Sequence, residues 1–280
     1  MSHTVYLNGQ FLPYEQATIP VEDRSFLFAD GIYEVIRVYG GRPFGMEPHL
    51  KRLARSAREI HLPEPDLAEL ARVSLELIAA NSLTEATIYI QVSRGSYNPR
   101  NHAFPTSEPA PAVLVIARPY VGNPKLHETG VKAITTADQR WARCDIKSVA
   151  LLPNILAKQK AAEAGAYEAI LIKDGYAIEG SSSNFMAVID GEIRTYPQCN
   201  YILGGITRDM VLDLARQLGY TVREAGIPAD ALDRCSEAWV TSTTSEVMPV
   251  IEIDGKPVGN GRPGPVAAAL SEAYTKLSQR

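Results

Sequence analysis

Lys147 lies in the stretch Trp141–Lys160, WARCDIKSVALLPNILAKQK, with the apolar run Val149-Ala150-Leu151-Leu152 just after it. Burying a lysine beside apolar residues lowers its pKa and frees a neutral amine that can attack a carbonyl. The plainer alternative is a lysine at a strand edge with its ammonium in water. A second chemical feature is Leu203-Gly204-Gly205-Ile206-Thr207, which precedes an apolar-faced helix. Its glycines allow a sharp turn, and Thr207 is the expected N-cap. The helix start then offers backbone N–H groups and a positive dipole end to a phosphate. Glu179 stands before a hydroxyl-rich turn, Ser181-Ser182-Ser183-Asn184. Arg100 and His102 are two apart in PRNHAFP (99–105). In an extended segment they point the same way, so with a tyrosine hydroxyl they could take a carboxylate.

These groups need elements to hold them. The pattern predicts strands at 4–7 and 10–12 around an Asn8-Gly9 turn, and a strand at 31–39 ending at Gly40-Gly41. Helices are expected at 47–62, where Leu50, Leu53, Ala54, Ala57 and Ile60 recur at helical spacing, and at 66–81. Strands follow at 87–94 and 112–118. The aperiodic 119–124 (PYVGNP) is the expected linker between a small N-terminal domain, 1–118, and a larger C-terminal domain, 125–280, carrying Lys147. The second half should hold strands at 131–136, 168–173, 184–189, 192–195 and 237–241, with helices at 154–165, 207–218 and 265–278. Strands and helices mix without a βαβ rhythm, so the fold class is α+β.

The chain has 280 residues, 45% hydrophobic and 21% charged, which suits a globular protein with a large core. A net charge of −4 gives no basic footprint for nucleic acid. No apolar run is long enough to span a bilayer. Cys144, Cys199 and Cys235 have neither disulfide-framework nor metal-site spacing, so no metal is expected and a reducing cytoplasmic setting is. Cys144 reads as a packed hydrophobe.

The lysine segment resembles that of the fold-type IV enzymes that use pyridoxal 5'-phosphate (PLP). The blocks DRSFLFADGIYEVIRVYGG, HLKRLARSA, YIQVSRG, PRNHAFP, EGSSSN, GITRD and VTSTTSEVMPVIEIDGK extend the resemblance over nearly the whole chain, in the family's order. The D-amino-acid aminotransferases are the branch most similar. The resemblance implies a two-domain, branched-chain-aminotransferase-like architecture of mixed sheets with flanking helices. It implies Lys147 as the Schiff-base lysine and Glu179 as partner of the pyridine nitrogen. Ser181, Ser182 and Ser183 would line the ring. Phosphate contacts would come from Arg52, Ile206, Thr207 and Thr243, and Leu203, Gly205 and Ser242 would also bind the cofactor. From charge alone, Lys51, Arg55 and Arg58 are equal candidates with Arg52, and Thr244 neighbours Thr243.

The implied reaction is ping-pong transamination of D-amino acids such as D-alanine and D-glutamate with 2-oxoglutarate or pyruvate. Arg100, His102 and Tyr33 would receive the substrate carboxylate, and Val35 and Pro153 would tune the side-chain pocket. In the family the Arg/His loop comes from the partner subunit, which implies a homodimer. Relatives of the same fold type transaminate branched-chain L-amino acids or (R)-amines, or act as aminodeoxychorismate-lyase-like lyases. The Arg100/His102 pair argues against those. A non-catalytic phosphate-binding domain would leave Lys147 and Glu179 unexplained.

Overall fold

A computed structural model describes residues 3–106 and 110–279. The chain divides into two units: one runs to Val121 and also takes Ile146–Ala150, and the other comprises Gly122–Asp145 and the chain from Leu151. The first division lies between Val121 and Gly122, after Pro119 ends one strand and before Pro124 opens a helix. The five residues around Lys147 pack with the first unit rather than with the C-terminal one.

In the first unit the order is β1 (Thr4–Leu7), β2 (Gln10–Pro13), α1 (Arg24–Phe28), β3 (Gly31–Tyr39), β4 (Arg42–Pro43), α2 (Met46–Glu59), α3 (Leu67–Ala80), β5 (Ala86–Ser93) and β6 (Ala112–Pro119). The strands form one antiparallel sheet, β2-β1-β6-β5-β3-β4. Alternation fixes its faces. Ile32, Ile36 and Val38 of β3 and Ile88, Ile90 and Val92 of β5 join Leu50, Leu53 and Ala57 of α2 and Leu70, Val73 and Leu77 of α3 in one core. Tyr33, Val35, Tyr89 and Gln91 therefore fall on the opposite face. Helix α2 stops earlier than its periodicity suggests: His61 adopts a left-handed φ of 52°, and the Leu62 N–H returns to Ala57 O at 2.9 Å.

The second unit runs α4 (Pro124–Thr129), β7 (Val131–Ala137), α5 (Leu152–Glu163), β8 (Glu168–Lys173), β9 (Tyr176–Gly180), β10 (Asn184–Ile189), β11 (Glu192–Thr195), α6 (Ile206–Gln217), β12 (Val222–Glu224), β13 (Ile227–Pro228), β14 (Glu237–Ser242), β15 (Glu246–Ile253), β16 (Lys256–Pro257) and α7 (Pro265–Ser278). Its sheet mixes parallel pairs, β15–β7, β7–β8 and β11–β12, with antiparallel ones. Strand β10 also pairs with β9 through Asn184 and Glu179, so β10-β14-β15-β7-β8-β9 closes on itself. Inward residues such as Phe185, Ala187, Val240, Met248 and Ile170 form the core. Leu171 and Ile178 pack with Ile202 in a separate cluster. Among the described residues, no helix is long and apolar enough to cross a membrane.

Candidate active site

In the first unit, Lys147 extends the edge of β3. The Tyr33 N–H donates to Lys147 O at 2.9 Å, and Val149 N–H donates to Gly31 O at 3.0 Å. These bonds, with the Ile32–Ser148 bridge, explain why this segment belongs with the first unit. The Lys147 N–H reaches the buried Ser56 hydroxyl of α2 at 3.3 Å. The Lys147 Nζ lies 4.4 Å from the centre of the Tyr33 ring, which itself stacks on Tyr89 at 5.7 Å. Burial pushes the Tyr89 hydroxyl up to about 12, so it stays a neutral donor to Gln91 Oε1 at 2.7 Å. Val35 sits on the same face, in register with Tyr89.

Behind β3, Glu34 points the other way, among the apolar residues facing α2, and is fully buried. His49 and Arg52, three apart on α2, meet it there. Arg52 Nε donates to Glu34 Oε1 at 2.7 Å and Arg52 Nη2 to Oε2 at 2.8 Å, while His49 Nδ1 stands 2.8 Å from Oε2. Burial alone would raise the Glu34 pKa. The Arg52 charge and fork, with the His49 hydrogen bond, outweigh it and hold the carboxyl at about 2. Burial lowers the His49 pKa. Arg52, unlike Lys51, is thereby fixed in direction: Lys51 pairs with the exposed Glu47.

Arg100 and His102 are exposed. Both lie against one ring: the Arg100 guanidinium carbon is 4.2 Å from the Phe28 centroid, and the His102 ring centre is 5.1 Å from it.

In the second unit, Glu179 is buried at the point where β9 meets β10. Its Oε1 accepts from Arg140 Nη1, and its Oε2 accepts from Asn184 Nδ2 and Leu203 N, each at 3.1 Å. Arg140 is itself held by Asp138 and the Tyr201 carbonyl. Burial pushes the Glu179 carboxyl up to about 7 even against the Arg140 charge. Asn184 also donates to Leu203 O at 2.8 Å, which ties the carboxylate to the loop before α6. The expected cap role of Thr207 falls instead to Gly205: Thr207 is the second residue of α6 and buried, and no side chain caps this helix. A Cβ on Gly205 would overlap Asn184 Oδ1, so only glycine lets the loop approach this closely. The first N–H groups of α6, at Ile206 and Thr207, have no acceptor within the helix. The β14–β15 turn carries Ser242, Thr243 and Thr244, with Ser242 Oγ accepting from Ser245 N at 3.0 Å. Thr241, in register with Asn184, has a buried hydroxyl without a hydrogen-bond partner among the described residues.

The serine turn is organised by a residue not anticipated from sequence. Glu168 accepts from the hydroxyls of Ser181 and Ser183, and from Ser182 Oγ at 3.4 Å. Asn154 of α5 donates to Ser181 O at 2.8 Å, just beyond Pro153. Burial pushes the Cys144 thiol up to about 11, consistent with a packed side chain. Glu34, His49, Arg140, Asp138 and Glu168 all escape a reading by motif. Glu34 alone leaves a sequence signal, a charge at the core-facing parity of a β-strand.

The sequence profile of the class IV amino-transferases matches residues 31–253. The chain is 43% identical to a D-alanine aminotransferase of Staphylococcus aureus (strain COL), over 97% of this chain and 96% of that protein. It is 41% identical to a D-alanine aminotransferase of Listeria monocytogenes serotype 1/2a (strain 10403S), over 97% and 95%. Among solved structures, the branched-chain amino acid aminotransferase of Escherichia coli superposes with a TM-score of 0.92 at 28% identity, covering 99% of this chain and 94% of that one. The branched-chain amino acid aminotransferase of Thermoproteus uzoniensis with norvaline gives a TM-score of 0.87 at 29% identity, covering 100% and 96%. The chain belongs to the class IV aminotransferase family, whose members work with PLP and share the fold-type IV architecture.

The donor set suits that cofactor. A buried carboxylate answers a pyridinium, and an uncapped helix start answers a phosphate. Asn184 and Leu203 join the two, as one elongated ligand with a cationic ring and an anionic tail requires.

Proposed function

We propose that this chain transaminates D-amino acids, D-alanine and D-glutamate among them, with 2-oxo acid acceptors. PLP, when bound, supplies an electron-accepting ring and a carbonyl that exchanges amino groups. Lys147 holds it covalently. When free, Lys147 Nζ would take the proton from the substrate's α-carbon and pass it to the former carbonyl carbon of the cofactor, acting first as base and then as acid. Glu179 keeps a proton on the ring nitrogen by charge pairing. Arg52, Ile206, Thr207, Ser242 and Thr243 hold the phosphate, with Gly205 and Leu203 shaping the loop and Ser181–Ser183 beside the ring. Arg100, His102 and the Tyr33 hydroxyl receive the α-carboxylate, and Val35 borders the side chain.

One observation carries the substrate class: Arg100 and His102 are gathered on the single Phe28 ring, a cation and an imidazole presented together to a carboxylate. The identity of 41–43% to proteins named D-alanine aminotransferase supports the same reading. A homodimer is part of the proposal. Leu152, Ile155 and Leu156, at one-turn spacing on α5, are exposed apolar side chains that a second copy would cover. So is a cytoplasmic setting, in keeping with the free cysteines.

The test is a half-reaction. The PLP-loaded protein is mixed with D-alanine, L-leucine or (R)-1-phenylethylamine, without an oxo acid, and its visible absorption is followed. Fast bleaching by D-alanine alone is expected. Bleaching chiefly by L-leucine or the amine would keep the cofactor and overturn the role of Arg100 and His102. A protein that takes up no PLP would overturn the enzymatic reading.

A further inference from the structure

The exposed loop carrying Arg100 and His102 is fastened from below by a buried charge. Helix α1 is only five residues long, and Asp23 caps it: its carboxylate accepts from Ser25 N at 2.8 Å, Ser25 Oγ at 2.6 Å and Ser93 Oγ at 2.8 Å. That cap fixes Arg24 and Phe28, four apart and so on one side of the helix.

Arg24 is 4% exposed. Its Nε donates to Asp30 Oδ2 at 2.8 Å. Its terminal nitrogens donate to three successive carbonyls of the loop: Asn101 O at 2.5 Å, His102 O at 3.3 Å and Ala103 O at 3.4 Å. Asp30 is shared with a second buried arginine, Arg94, at 2.8 Å and 3.0 Å. Arg94 also donates to Ile60 O at 2.7 Å and His61 O at 3.0 Å, and lies 3.8 Å from the centre of the Phe104 ring. One carboxylate therefore serves two guanidiniums, and backbone carbonyls take most of their other donors. A buried charge stripped of such partners is costly. The loop cannot swing away without stranding Arg24.

We propose that Arg24 is a positioning residue for substrate carboxylate recognition. Backed by Asp30 and Arg94, it clamps the 101–103 backbone while Phe28 holds the Arg100 guanidinium and the His102 imidazole side by side. This rests on the reading that those two side chains receive the α-carboxylate. The clamp is internal to one chain, so the recognition loop is built before substrate arrives. Substrate binding then forfeits less conformational freedom, and the benefit falls on affinity rather than on the chemical step.

The test uses PLP-loaded protein and D-alanine at saturating oxo acid. Arg24→Gln and Phe28→Leu should each raise KM about ten-fold or more and leave kcat within about two-fold. PLP affinity and thermal midpoint should stay near wild type for Phe28→Leu, which leaves the buried ion network whole. Arg24→Lys, which restores the charge but not the fork, should recover part of the KM. Arg100→Ala serves as reference. If it raises KM while Phe28→Leu and Arg24→Gln leave KM unchanged, the clamp is overturned. A loss in kcat with unchanged KM overturns it too, since that pattern marks general structural damage. If Arg100→Ala itself leaves KM unchanged, the carboxylate reading fails and the clamp falls with it.

Discussion

Glu34 is a carboxylate on the core-facing side of β3, and two α2 residues three apart keep it ionised there. Its carboxyl titrates at about 2 in the fold, against an ordinary value of 4.5. A depressed folded pKa adds stability that is complete above the ordinary value and is lost as pH falls through the folded one. The shift corresponds to about 3 kcal/mol at roughly 1.4 kcal/mol per unit. Glu34→Gln should therefore destabilise the cofactor-free protein by about 3 kcal/mol near pH 7 in urea unfolding. That gap should narrow from about pH 5 to about pH 3. A gap that stays constant over this range would remove the electrostatic account. Glu179 has the opposite sign. Its folded pKa is raised to about 7, so its contribution is present below 4.5 and is lost as pH climbs through 7. At this scale the sequence singles out residues whose chemistry shows in a local motif, Lys147, Glu179, and the pair Arg100 and His102, to which the proposed function gives roles. Glu34, Arg140 and Glu168 were not legible, because their partners lie 18, 39 and 13–15 positions away in the chain.

In the proposed function, the start of α6 is the element on which anion binding turns. Gly205 caps it without a side chain and packs against Asn184. Gly205→Ala would drive the loop off Asn184 and strand bonds to Leu203 O and Glu179, each worth about 1–3 kcal/mol. PLP affinity, measured by titrating the cofactor-free protein and following the visible band, should drop by about ten-fold or more. Wild-type affinity would show that this close approach is dispensable. Periodicity gave α2, α3, α6 and α7 to within a few residues, because each presents a long apolar face. It did not give α1, which has five residues and stands on Asp23 rather than on a pattern, nor β15, where Pro249 interrupts the strand signal. Thr207 shows the same limit. A threonine near a helix start invites a cap reading, yet the cap falls two residues sooner, at Gly205.

For the molecule as a whole, the proposed function predicts a mass in light scattering of twice the 30.6 kDa chain. A monomer at micromolar concentration, fully active on D-alanine, would remove the partner-supplied loop from the reading. The α+β class was legible from the irregular mixture of strand and helix signals. Closure of the second sheet was not, because it depends on one long-range pairing that no strand announces by itself. That closure has a practical consequence. Open strand edges recruit other strands and lead to aggregation. Here β9 and β10 pair through the backbone at Glu179 and Asn184, and Asn184 Nδ2 donates to Glu179 Oε2 beside that pairing at 3.1 Å; these are the two side chains proposed for the cofactor's ring and loop. A Glu179 variant made to test the proposed electron sink also removes the side-chain bond beside this seam. Its lost turnover can be interpreted only beside its solubility, and a soluble, inactive Asn184 variant would separate the two.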